Sequence, residues 1–223
     1  MKEKIDDKIR HLIDKRSLTL VLMGPPGAGK NSLQEKLVEI LKKHDPKRKT
    51  VVVETGQMFR DWIKNGSHPW LSDIIKNELA TGQLIKPIFA KFHWMSCLER
   101  EMTRGDEHLI FNGVPREKSE KNDLEDFLKT IGRKPLHVHL SVTDETALKR
   151  MGLREQLVKE GRVDSKTLTA RKKKLSDYYE HTLPVIAKIP VSEKIKIVAE
   201  DEVPVVLSRM VNHMVEWHDR QLI

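Results

Sequence analysis

Cysteine is almost missing from this sequence: Cys97 stands alone. A disulfide within the chain needs a second thiol and a cysteine-rich zinc site needs several, so both are excluded, and a reducing cytoplasm is the expected compartment. Aromatic residues make up only 5%. The basic stretch described below has none beside it for stacking bases, which argues against a surface for single-stranded nucleic acid. No apolar run approaches the ~20 residues of a membrane span. Residues 1–16 carry Glu3, Asp6, Asp7 and Asp14 and show no apolar h-region, so they do not read as a signal or transit peptide. Internal repeats and low-complexity linkers are absent, and the ten histidines form no cluster with metal-ligand spacing.

What is present suits one large α/β domain. The chain has 223 residues, 38% of them hydrophobic and 33% charged, and a chain of this mass buries ~70% of its unfolded surface. There are 41 Lys and Arg against 33 Asp and Glu, a formal charge of +8. Residues 149–174 hold ten of the basic side chains and three of the acidic ones, which is nearly the whole excess. Such clustering fits either a solvated basic helix or a site for a polyanion such as nucleotide phosphates.

Ile5, Ile9, Leu12 and Ile13 follow helical spacing and predict a leading amphipathic helix over residues 3–14. Short apolar, β-branched runs predict strands at Leu18–Met23, Thr50–Glu54, His108–Asn112, Leu136–Val142 and Lys194–Val198, separated by helical patterns. Strands alternating with helices predict a parallel sheet covered on both faces. The stretches 55–104 and 149–165 read as insertions into that core.

Residues 24–32 read GPPGAGKNS between a strand and a helix. Gly24, Gly27 and Gly29 let backbone amides surround phosphate oxygens, with Ala28 between them. The helix start contributes the positive end of its dipole, and the Lys30 ammonium can bridge outer phosphates. The general phosphate-loop pattern has Ser or Thr directly after the lysine. Here Asn31 holds that place, and the hydroxyl comes one residue later at Ser32.

This delayed hydroxyl resembles the adenylate kinase branch of the nucleoside monophosphate kinases, and further motifs extend the resemblance over about residues 16–212. Thr55-Gly56-Gln57-Met58-Phe59-Arg60 is similar to that family's TGDMLR, and Phe111-Asn112-Gly113-Val114-Pro115-Arg116 to its LDGFPR. Arg150-Met151-Gly152-Leu153-Arg154 resembles the paired arginines leading into its lid, and Gly161-Arg162-Val163-Asp164-Ser165 the GRxDD that closes it. Residues 178–186, YYEHTLPVI, resemble the segment after the lid.

The resemblance implies a five-stranded parallel P-loop core made of residues 1–54, 85–148 and 166–223. It implies a helical monophosphate-binding segment over 55–84 and a short lid over 149–165. It also implies a monomer that uses MgATP and AMP to give two ADP, reversibly. Lys30, Arg116, Arg154 and Arg162 would be catalytic. Gly24, Gly27, Ala28, Gly29, Lys30, Asn31, Ser32, Arg150 and Arg154 would bind ATP, with Arg150 against the donor base. Thr55, Gly56, Arg60, Gly113, Arg116, Glu120, Arg162 and Lys174 would bind the monophosphate. Ser32 and Asn112 would serve Mg2+, Asn112 through water.

Several positions depart from the family's pattern. Asn112 replaces an aspartate, Gln57 an acidic residue, Lys174 an arginine, and Glu120 the glutamine expected to read adenine. A carboxylate at 120 would face adenine N1 with a second acceptor and suits guanine better. Two alternatives therefore stand beside the adenylate kinase reading: a nucleoside monophosphate kinase with another or relaxed base preference, GMP included, and a weakly catalytic nucleotide-binding sensor.

Overall fold

The computed structural model describes residues 2–14, 16–65, 69–80, 85–157 and 167–220. Five strands form one parallel sheet: β1 (Thr19–Met23), β2 (Thr50–Glu54), β3 (His108–Asn112), β4 (Leu136–Ser141) and β5 (Lys194–Val198), in the order β2-β3-β1-β4-β5. β1 lies at the centre and every one of its residues is buried. Its side chains alternate between two cores, as a pleated strand requires. Leu20 and Leu22 enter one cluster, and Val21 and Met23 the other.

Helices supply the partners of both faces. The first cluster is closed by α1 (Lys2–Ile13), α2 (Lys30–His44) and α10 (Val203–Arg220), through Ile9, Leu12, Leu33, Leu37, Met210 and Met214. The second is closed by α5 (Pro87–Glu101), α6 (Lys118–Thr130) and α9 (Leu183–Ala187), through Trp94, Leu98, Leu124, Leu128 and Val185. The strands expected from sequence match those observed to within one residue at each end, and the leading helix is present.

Two smaller elements complete the cavity side. After β2 the chain forms α3 (Thr55–Asn65) and α4 (Pro69–Ala80). With the start of α5 they carry a separate small core of Phe59, Trp62, Ile75, Ile85 and Ala90. Trp62, Trp94 and Trp217 are all buried in these cores. On the other flank, α7 (Asp144–Leu157) is joined to α8 (Leu168–Asp177) by Ala147, Met151 and Leu175. Residues 149–157 continue a packed helix because Met151 is fully buried, and the rest of the expected lid, with Arg162, lies outside the described residues. No helix among the described residues is long and apolar enough to cross a membrane.

Candidate active site

In a parallel sheet the carboxyl ends of the strands, where neighbouring connections diverge, leave a crevice. Here β1 passes to β2 on one side while β4 and β5 lie on the other, and a cavity of about 640 Å3 opens at this edge. It is lined by the loop 24–32, Gly56, Arg60, 112–116, Arg150, Arg154 and Lys174, among others. Motifs spread over 150 residues of sequence thus meet in one place.

The phosphate loop is shaped by its backbone. Gly24, Gly27 and Gly29 all have positive φ (144°, 83° and 87°). At Gly24 the requirement is doubled, because a Cβ there would stand 2.5 Å from the carbonyl oxygen of Leu140 on β4. Gly29 then caps α2, whose first turn holds no acidic side chain to compete for the dipole's positive end. Lys30 Nζ donates to the carbonyls of Gly24 and Pro25 at 2.8 and 2.9 Å. Burial, followed by the nearby Arg116 and Arg154 charges, pushes the Lys30 ammonium down to about 7, with Glu54 opposing. A cation held this way gains most when phosphate arrives.

A second wall of the cavity is made of arginines fixed by short local bonds. Arg116 Nε donates to the Gly113 carbonyl at 2.8 Å, and Thr55 Oγ donates to the same oxygen at 3.0 Å. Arg60 is held by Gln57, whose Oε1 accepts from its Nη2 at 2.7 Å. The two guanidinium groups converge over Gly56, where a Cβ would stand 3.4 Å from Arg60 Nη1 and 3.9 Å from Arg116 Nη2. Two planar forks over a bare glycine make a place for a phosphate dianion.

Two residues expected to bind the monophosphate, Glu120 and Thr55, do not line the cavity. Glu120 does not line the cavity and does not point to solvent. It is 2% exposed, and its carboxylate folds back to accept the Arg116 backbone N–H at 2.5 Å and that of Glu117. It lies in the first turn of α6, where a carboxylate satisfies otherwise unpaired amides. Burial raises its pKa despite those bonds. Thr55 is also buried and commits its hydroxyl proton to Gly113.

On the donor flank, Arg150 donates to the carbonyls of Ala199 at 2.7 Å and Glu200 at 2.8 Å, tying α7 to the loop before α10 while still lining the cavity. Arg154 lines it as well. Of the basic run on α8, Lys174 reaches the cavity. Lys173 pairs with Asp177 at 2.5 Å, and Arg171 packs across Gly152. Tyr178, another lining residue, bonds to His139 Nε2 at 3.0 Å, and burial pushes that histidine down to about 4, so it is neutral at pH 7.

Glu54 and Gln34 escaped the sequence reading, although they bond to Asn31 and Asn112, which it named. Glu54 ends β2 and pairs in register with Asn112, which ends β3. Asn31 Nδ2 and Gln34 Nε2 donate to Glu54 at 2.5 and 3.4 Å, while Asn112 Nδ2 donates to Asn31 Oδ1 and Gln34 Oε1 at 3.2 and 2.8 Å. The signal available in sequence was a carboxylate closing an otherwise apolar strand directly before Thr55-Gly56.

Residues 23–171 match the family described as AAA domain, two thirds of the chain. The chain is 30% identical over 173 residues to the adenylate kinase of Stenotrophomonas maltophilia strain K279a, covering 76% of this chain and 83% of that one. It is 29% identical over 205 residues to adenylate kinase isoenzyme 1 of Sus scrofa, covering 90% and 95%. A third relative, the adenylate kinase of Prochlorococcus marinus strain MIT 9515, is 30% identical over 172 residues. With the phosphate loop and the paired acceptor arginines opening into one cavity, these matches show that the chain belongs to the adenylate kinase family and is a nucleoside monophosphate kinase.

Proposed function

We propose that this chain transfers the terminal phosphoryl group of ATP to AMP, reversibly, giving two ADP, and that it works as a cytoplasmic monomer. The observation that carries this reading is the placement of Arg60 and Arg116 over Gly56, in the same cavity as Lys30 and the phosphate loop. Phosphoryl transfer passes through a loose transition state and asks for positioning and charge neutralisation. A monophosphate acceptor brings its own oxyanion, so the arginine wall needs no general base beside it.

In this scheme the loop amides and Lys30 hold the outer phosphates of the donor. Arg60 and Arg116 orient the acceptor phosphate in line, and Arg154 and Lys174 add charge from the α7–α8 flank. Arg162, outside the described residues, completes the clamp when the lid closes. Closure excludes water, which would otherwise compete as acceptor. The oxygen donors at the loop's edge, the Ser32 hydroxyl and the Asn112 and Glu54 side chains, are hard ligands of the kind Mg2+ takes, mostly through its own waters. Held beside these residues with ATP, magnesium would supply positive charge that offsets the phosphates.

The test is a coupled assay with MgATP and a panel of nucleoside monophosphates. AMP should be phosphorylated, with GMP the nearest competitor. Normal ATP binding with no turnover on any common monophosphate would replace this reading with that of a nucleotide sensor.

A further inference from the structure

Magnesium bound with nucleotide phosphates keeps several waters and is held from the protein side by one or two carboxylates. Position 112, at the end of β3, is the neutral Asn112, and its amide nitrogen is committed to Asn31 and Gln34. The described cavity is lined by five carboxylates: Glu35, Glu54, Asp177, Asp201 and Glu202. Asp177 is paired with Lys173 and Asp201 with Arg209, while Glu35 and Glu202 are exposed. Glu54 is different. It stands beside Asn112 in strand register and bonds to the residue that follows the loop lysine.

We infer that Glu54 supplies the carboxylate for the metal side of the phosphate site, the charge having moved from the end of β3 to the end of the adjacent strand β2. This deepens the MgATP reading above and rests on it. Three features fit the role. The side chain is only 19% exposed, so its charge is poorly screened from the cavity. Its position is fixed chiefly by two neutral amides, Asn31 and Gln34, which orient the carboxylate without cancelling its charge. Among the described residues it meets the charge of Arg60 at a loose 3.6 Å, and Arg60 is the side chain an acceptor phosphate would draw away; its charge also favours the Lys30 ammonium. Asn31 and Gln34 bridge both strand ends from α2, so residues 54 and 112 share one hydrogen-bonded frame. Within that frame a carboxylate can sit on either strand.

The experiment is a titration of Mn2+, followed by its paramagnetic resonance, into the full chain saturated with a non-hydrolysable ATP analogue. No turnover is needed, so the outcome is separate from the kinase assay: loss of the kinase reading shows as no diphosphate formed by the wild type. Glu54→Gln should weaken Mn2+ binding to the protein–nucleotide complex about 10–100-fold, the usual effect of removing an outer-shell metal partner. Metal-free affinity for the analogue should hold or rise. Glu54→Gln combined with Asn112→Asp should recover most of the lost affinity by returning the charge to β3. Glu54→Asp keeps the charge and serves if the glutamine variant folds poorly; its Mn2+ affinity should lie between wild type and Glu54→Gln or Glu54→Ala. Unchanged Mn2+ affinity in Glu54→Gln, or an equal loss of analogue binding with and without metal, would overturn the inference.

Discussion

Across one cavity, the phosphate loop and the acceptor wall are built by different means. The loop is a backbone structure, with three glycines at positive φ and a lysine anchored on two of its own carbonyls. The acceptor wall is a side-chain structure, in which Arg60 rests on Gln57, Glu54 gathers Asn31 and Gln34, and Glu120 braces the backbone of Arg116. A backbone site is specified by the space that side chains must leave empty, and an added Cβ destroys it. A side-chain site is specified by reach and hydrogen-bonding type, so one residue can take over from another. Of the departures, Gln57 and Glu120 fall on the wall, Asn112 at its junction with the loop and Lys174 on the α7–α8 flank, while the loop keeps every glycine.

The comparison breaks most visibly at the two cations that face the phosphates. Lys30→Ala and Arg116→Ala should each lower kcat by about 10³-fold or more, as expected for removal of a transition-state phosphate clamp. Thermal unfolding should remain cooperative in both. If Arg116→Ala costs less than tenfold, Arg60 alone suffices and the wall is redundant.

Next in size is a contrast between one residue of each region. Gly24→Ala places a Cβ against the Leu140 carbonyl at a φ of 144°, so the loop must deform. Strain of this sort costs about 1–3 kcal/mol, or a few degrees to about 10 °C in a domain of this size, and ATP binding should fail with it. Gln57→Ala removes an exposed support of Arg60 and should leave stability within about 0.5 kcal/mol, raising the acceptor KM instead. Calorimetry and steady-state kinetics on both variants check the pair. Equal destabilisation would erase the distinction between the two regions.

This division also explains what could be read in advance. β2, β3 and β5 have the expected boundaries because short apolar runs end where polar residues or a new helical pattern begin, and the loop declared itself because glycines at fixed spacing have few other uses. The arginines were legible as members of motifs. Glu120 was not: counting four residues from Arg116 gives a position and says nothing of direction. Near the start of α6 the unpaired amides capture a carboxylate at short range more readily than a distant base. On α8 three successive lysines look alike in sequence, and only the resemblance singled out Lys174. Burial of Leu175 on one side and the pairing of Lys173 with Asp177 leave Lys174 on the cavity face. Glu54 escaped because it lies outside any motif, although its strand register with Asn112 makes it part of the same site.

A smaller effect sharpens the electrostatics of the loop. Free Lys30 titrates at about 7 because burial and two arginines disfavour its charge. Bound phosphates favour the ammonium and raise that value. Above pH 7 nucleotide binding must therefore take up a proton, and affinity should fall as pH rises, by at most about tenfold per unit. Calorimetry in buffers of different ionisation enthalpy would show the uptake at pH 8 and little of it at pH 6. Equal uptake at both would place the proton on another group.

The smallest effect belongs to Glu120→Gln. The glutamine keeps a side-chain oxygen for the Arg116 N–H but loses a buried charge. The two consequences oppose each other: a hydrogen bond to a charged acceptor is worth more than one to a neutral acceptor, and burying the carboxylate carries its own penalty. Net stability at pH 7 should change by about 1 kcal/mol or less. The pH dependence gives the sharper sign. Burial raises the folded-state pKa of Glu120 above its unfolded value, so this group's contribution to stability declines as pH climbs from about 4.5 through the raised value. Glu120→Gln should remove that slope, and melting curves between pH 4 and 7 would show it. Because the carboxylate braces the backbone and does not line the cavity, the AMP-to-GMP ratio of kcat/KM should stay within about threefold, less than the ~5–150-fold that a buried base mismatch of 1–3 kcal/mol would produce. A larger change in that ratio would mean that Glu120 turns outward when nucleotide binds and reads the base after all.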